Sequence, residues 1–97
     1  MNITIFITMP ELSRIVSIYN ISDYKLKAEF INGEVKIYDF SSQLDFPAFK
    51  PLKDRKIFSE VSLDRGIPVW LDGEIDIAPE ILYYDGVPEN DKTRHSK

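Results

Sequence analysis

Across residues 14–84 apolar positions recur at every second residue and are broken at short intervals by turn formers, the signature of β-strands half buried against a core. The sharpest unit spans residues 24–39. Tyr24, Leu26, Ala28 and Phe30 alternate with Lys25, Lys27 and Glu29, and beyond Asn32-Gly33 the apolar Val35 and Ile37 alternate with Glu34 and Lys36. Asn-Gly between alternating segments predicts a hairpin with a two-residue type I′ loop, in which both loop residues take positive φ. Such a loop sets Ile31 opposite Glu34, Phe30 opposite Val35, Ala28 opposite Ile37, and Glu29 opposite Lys36. One face would then be apolar while the other carries a pair of opposite charges. Residues 15–21 predict a preceding strand, separated by Ser22-Asp23.

Beyond the hairpin the pattern loosens. Residues 40–52 read as irregular, stopped from continuing by Pro47 and Pro51, with Phe46, Phe49 and Leu52 as anchors to the core. Asp54 is placed to cap a short helix from Arg55 to about Glu60, packing inward through Ile57, Phe58 and Val61 and basic on its other side. Residues 61–63 and 67–71 predict strands across Asp64-Arg65-Gly66, and Pro68 argues that the second lies at a sheet edge or beside a bulge. After Asp72-Gly73, Ile75 and Ile77 point to one side and Glu74 and Asp76 to the other. Pro79 opens a final helix through Tyr84, with Glu80 near its positive end and Gly86 as its stop. The expected fold class is α+β: a small antiparallel sheet of hairpins with two short helices.

The domain reading follows from length. Ninety-seven residues, 43% hydrophobic and 12% aromatic, suit one globular core. Residues 9–85 are expected to form a single α+β domain, and residues 86–97, polar and holding Pro88, a disordered tail. Two readings of residues 1–8 stay open. Ile3, Ile5 and Ile7 alternate like an extra strand, while Met9-Pro10 is compatible with an alternative start and a loosely attached extension. That segment has neither a basic leading region nor a long apolar stretch, and no stretch of the chain approaches the ~20 apolar residues of a membrane span, so a cytoplasmic protein with no membrane partner is expected.

Composition narrows the chemistry. There is no cysteine, which excludes disulfides, thiol catalysis and thiolate metal sites, and the one histidine, His95, lies in the polar tail. A net charge of -4 disfavours non-specific nucleic-acid binding. Ser41 and Ser42 lack a histidine base, and Gly33, Gly66, Gly73 and Gly86 each punctuate a separate turn rather than forming a phosphate loop. No cofactor, no metal and no catalytic residue are expected.

Three groups remain as candidate interaction surface. Asp72, Glu74 and Asp76 have the spacing to share one strand face, and the preferred reading is a solvated face that keeps an edge soluble. Lys50, Lys53, Arg55 and Lys56 concentrate positive charge near Phe49 and Phe58; a charged helix face is preferred over a nucleic-acid site. Trp70 is either an exposed interface anchor or the largest core residue, the latter preferred.

The order of these motifs resembles the bacterial and archaeal family catalogued as domain of unknown function 2442. The resemblance spans residues 15–84. It rests on Tyr24-Lys25-Leu26, Phe30 with Asn32-Gly33-Glu34-Val35, Phe49-Lys50-Pro51-Leu52, Trp70 with Gly73, and the run from Ile75 through Ala78-Pro79-Glu80 to Leu82-Tyr83. Leu71 stands where proline is common, and residues 1–8 add to the usual start. The resemblance implies a compact α+β domain with an antiparallel sheet and no established catalytic residue. It also implies gene pairing with a partner catalogued as domain of unknown function 4160, in the manner of a toxin-antitoxin module.

The resulting expectation is a non-enzymatic, antitoxin-like protein that covers a protein partner encoded beside it, through a sheet edge near residues 67–71 or 3–7 and through the acidic run. Homo-oligomers are compatible with this. One alternative is an accessory domain that binds a small molecule or nucleic acid through residues 50–56. The other is an enzyme using Asp39, Asp72 or Asp76 as acid or base.

Overall fold

The computed structural model describes residues 14–89. The expectations for residues 1–8, and for the tail beyond Glu89, lie outside the described residues. Strands β1 (Ile15–Ser22), β2 (Lys25–Phe30) and β3 (Val35–Asp39) run antiparallel in sequence order, and the two-residue strand β7 (Val87–Pro88) closes the sheet beside β3. A second antiparallel sheet orders β4 (Ser62–Asp64), β5 (Ile67–Trp70) and β6 (Ile75–Asp76). Helix α1 (Arg55–Ser59) precedes the second sheet, and α2 (Pro79–Asp85) follows it. The α+β class is therefore as expected, with the antiparallel strands divided between two sheets.

The helices start where their caps place them. Asp54 Oδ1 accepts hydrogen bonds from the N–H groups of Lys56 and Ile57, at 2.9 and 3.3 Å, satisfying donors that the first turn leaves free. Pro79 opens α2, and the Gly86 N–H donates to the Leu82 carbonyl at 3.1 Å to end it.

The central hairpin forms, but its register differs by one residue from the two-residue-loop expectation. Glu29 pairs with Val35, Ala28 with Lys36, Lys27 with Ile37 and Leu26 with Tyr38. The cause is the loop. Ile31, Asn32 and Gly33 form a three-residue connection in which Gly33 alone takes positive φ, at 91°, and the Gly33 N–H donates to the Phe30 carbonyl at 2.8 Å. Since side chains alternate, this single-residue shift moves Val35 and Ile37 to the outer face and turns Lys36 and Tyr38 toward the core. The two-residue loop with positive φ at both positions occurs instead at Arg65-Gly66, φ 56° and 82°, between β4 and β5.

Phe40 stands at the centre of the core, with the rings of Phe49, Phe58 and Trp70 at 5.2 to 5.4 Å. Leu26, Ala28 and Phe30 close it from the first sheet, Trp70 and Ile75 from the second, and Leu82 from α2. Residues 40–52 are irregular in their strands but not in their turns, since Phe40–Gln43 and Pro47–Lys53 form 3-10 helices. Pro47 starts the second of these rather than stopping it. Leu52 and Phe49 anchor the segment as expected, whereas Phe46 is exposed and Leu44 takes the buried place.

Pro68 does not mark an edge. β5 lies between β4 and β6, and the Ile77 N–H donates to the Pro68 carbonyl at 3.2 Å. The reciprocal bond would need an N–H that proline lacks, so the β5–β6 ladder ends there. Residues 86–88, assigned to the tail by sequence, include the strand β7.

Candidate functional site

The one-residue shift exposes an apolar row. Tyr19 pairs with Lys27, Lys27 with Ile37, and Ile37 with Val87, so these four side chains cross the outer face of the four-stranded sheet in line. Tyr19 is 58% exposed and Val87 49%, and Ile21 beside the row is 45% exposed. Lys27 reaches across β3 to Glu89, 3.1 Å away, so its stem and charge lie over the Ile37 side of the row and leave Tyr19 and Val87 as its exposed apolar members.

At one end the row opens into a groove of about 710 Å³. It exists because β7 has two residues and pairs only with Lys36 and Ile37, whereas β3 continues through Tyr38 and Asp39. Ile21, Ile37 and Val87 supply its apolar lining, and Lys25, Asp39 and Asp85 its charges. Tyr38 accepts a 2.8 Å hydrogen bond from Gln43 Nε2 at the groove wall. Asp39 caps the 3-10 turn, accepting from the Ser41 N–H at 3.0 Å. Hydrogen bonds from Ser41, with help from the Lys25 charge, hold the Asp39 carboxyl below its usual range.

The groove was not legible in the chain. Ile37 and Val87 belong to it only through the β3–β7 pairing, and the only sequence signal was an apolar valine followed by proline within an otherwise polar tail.

The sequence-derived candidates do not converge. Trp70 is 1% exposed, its ring stacked 5.7 Å from Phe58, so its side chain belongs to the core and not to the surface. Asp72, Glu74 and Asp76 are exposed but do not share a strand face. Leu71, Asp72 and Gly73 all take positive φ, and this turn places only Asp76 of the three in β6. Lys50, Lys53, Arg55 and Lys56 are exposed along the second 3-10 helix and α1. Arg55 is paired to Asp23 at 2.9 Å and lies over the Tyr24 ring, while none of the three lysines makes an ion pair among the described residues.

A second cluster joins the hairpin to α2. Tyr83 donates to Glu34 Oε2 at 2.8 Å, Asn32 Nδ2 donates to the same oxygen at 3.0 Å, and Lys36 Nζ lies 3.6 Å from Glu34 Oε1. The lysine also sits 4.8 Å from the Tyr83 ring centre. Tyr83 foremost, then Lys36 and Asn32, hold Glu34 below its usual range, and the same carboxylate pushes the Tyr83 hydroxyl up. Its partners are satisfied within the chain, so it acts as a clasp. Among the described residues no three histidine, cysteine or acidic side chains gather as a metal site would require, and no helix is long and apolar enough to cross a membrane.

The arrangement defines a class: a small antiparallel α+β domain whose outer sheet face mixes exposed apolar and charged side chains, with a groove at its corner. The family model described as "Protein of unknown function (DUF2442)" matches residues 15–88, and the chain belongs to that family. No curated protein and no solved structure matches the chain.

Proposed function

We propose that the chain is a non-catalytic protein-interaction module, the antitoxin-like member of a two-protein pair, which binds its partner over the outer face of the four-stranded sheet. The exposed Tyr19 and Val87, in one cross-strand row with the half-buried Ile37 and with Lys27, carry this reading, because large apolar side chains exposed near one another on a sheet are better covered than left in water. β1 adds to it. Among the described residues β1 has a hydrogen-bonded strand on one side only; the Arg65-Gly66 turn lies against its first residue, Ile15, and beyond that its residues include no charge and no proline, the usual guards of an edge. That edge replaces residues 67–71, where β5 has neighbours on both sides. The exposed Asp72, Glu74 and Asp76 would meet basic groups of the partner at the periphery.

Co-expression with the product of the neighbouring gene tests the reading. The two proteins are expected to elute together, and Tyr19→Glu to separate them; separate elution of the unaltered pair at micromolar concentration overturns it.

A second reading has one observation in its favour. Phe46 is 55% exposed at the start of the 3-10 helix that presents Lys50 and Lys53, one turn apart. Such a combination suits an accessory surface for single-stranded nucleic acid. It predicts salt-sensitive binding weakened by Lys53→Glu and Lys56→Glu, changes to which the sheet-face reading is indifferent.

A further inference from the structure

The charges lining the groove beside β7 are those of Lys25, Asp39 and Asp85, so it is acidic in sum. Lys25 and Asp39 stand opposite each other across β2 and β3, and the lysine helps keep Asp39 ionised, so these two offset one another. Asp85 is left over. It is exposed at the end of α2, and no cation pairs with it among the described residues. Its charge lies beside an apolar lining of Ile21, Ile37 and Val87, in a chain whose net charge is -4. The volume, about 710 Å³, accommodates more than one side chain. Beyond Ile37, β3 has no ladder partner on the β7 side among the described residues, so backbone as well as side chains can be met there.

We infer that this groove receives an extended segment of a protein partner in which an aliphatic residue lies next to a lysine or arginine. The aliphatic side chain fills the space between Ile21, Ile37 and Val87, and the cation sits against Asp85. Apolar burial supplies the affinity and the unpaired carboxylate the selection for charge. This inference rests on the interaction reading above and names the chemistry of the partner at one end of the same face.

The test is selection of a random displayed peptide library on the immobilised full chain, followed by fluorescence anisotropy of the selected peptides. Peptides combining aliphatic and basic residues are expected. Asp85→Lys should weaken them by about tenfold or more, Val87→Glu should abolish binding, and Lys53→Glu should leave it unchanged. Both altered groove residues are exposed, and circular dichroism checks the fold; Ile21→Lys is the second variant should Val87→Glu loosen β7. A library with no binder, acidic or uncharged winners, or basic peptides unmoved by both groove variants would each overturn the inference. Sedimentation of the free chain provides a further arm: a dimer dissociated by Val87→Glu gives the groove to a second copy and overturns it too. Peptides that bind elsewhere, or co-elution unaffected by Asp85→Lys, leave the interaction reading standing; failure of co-elution alone falls on that reading.

Discussion

The indole N–H of Trp70 donates to the Phe58 carbonyl at 2.9 Å, joining the last residue of β5 to helix α1. The two rings also lie nearly parallel, at 25°. This contact decides how the helix sits on the core, because Phe58 and Trp70 are both fully buried and both pack on Phe40.

Replacing Trp70 therefore removes packing and a polar partner together. Trp70→Phe should cost about 1–3 kcal/mol, since the Phe58 carbonyl is left buried without its donor, and Trp70→Ala about 3–5 kcal/mol through the cavity. Urea unfolding followed by far-ultraviolet circular dichroism measures both. The unaltered protein, having a single tryptophan, should give a blue-shifted emission that moves red in the same transition.

Gly33 and Asn32 should respond differently from a type I′ turn. Gly33→Ala forces a side chain onto φ 91° and is expected to cost about 1–2 kcal/mol. Asn32→Gly should destabilise as well, because Asn32 Oδ1 accepts from the Glu34 N–H at 2.9 Å and its backbone does not need positive φ. A stabilising Asn32→Gly would contradict the three-residue loop. Thermal melts suffice for the comparison.

Gly86 is constrained by space rather than by φ. A Cβ there would collide with the Leu82 carbonyl and come within 3.0 Å of Lys36 Cβ. Gly86→Ala should lower stability and release β7, so that hydrogen exchange of the Val87 amide accelerates relative to that of Leu26.

The clasp predicts an acid dependence. Glu34 has a folded pKa below its unfolded one, so its contribution is present above the unfolded value, about 4.3, and is lost as pH falls through the depressed folded value. Tyr83 behaves in the opposite sense: its raised pKa gives stability that is present below the unfolded value and lost as pH rises through the folded one. The side chain of Glu34 is 46% exposed, so solvent screening keeps the effect small. Melting temperature against pH should fall less steeply at the acid end for Glu34→Gln than for the unaltered chain.

Local chemistry accounts for the elements that the residues alone revealed. Asp54 before Arg55, Pro79 before Glu80, and the alternation of Leu26, Ala28 and Phe30 act within a few residues of themselves, and the two α-helices and the strand they specify begin near their expected places. Relations between elements needed the assembled core. Asn32-Gly33 announced a hairpin, yet two loop lengths fit it, and burying Tyr38 against Leu26 while holding Lys36 beneath Tyr83 goes with the longer one. Ile37 thereby came to face outward and meet Val87, a residue some fifty positions on, and the groove is a product of that meeting. Leu44 over Phe46 and a central β5 are choices of the same kind. Periodicity says which side chains share a face, but which face is inward depends on partners far along the chain, and a shift of one residue reverses it.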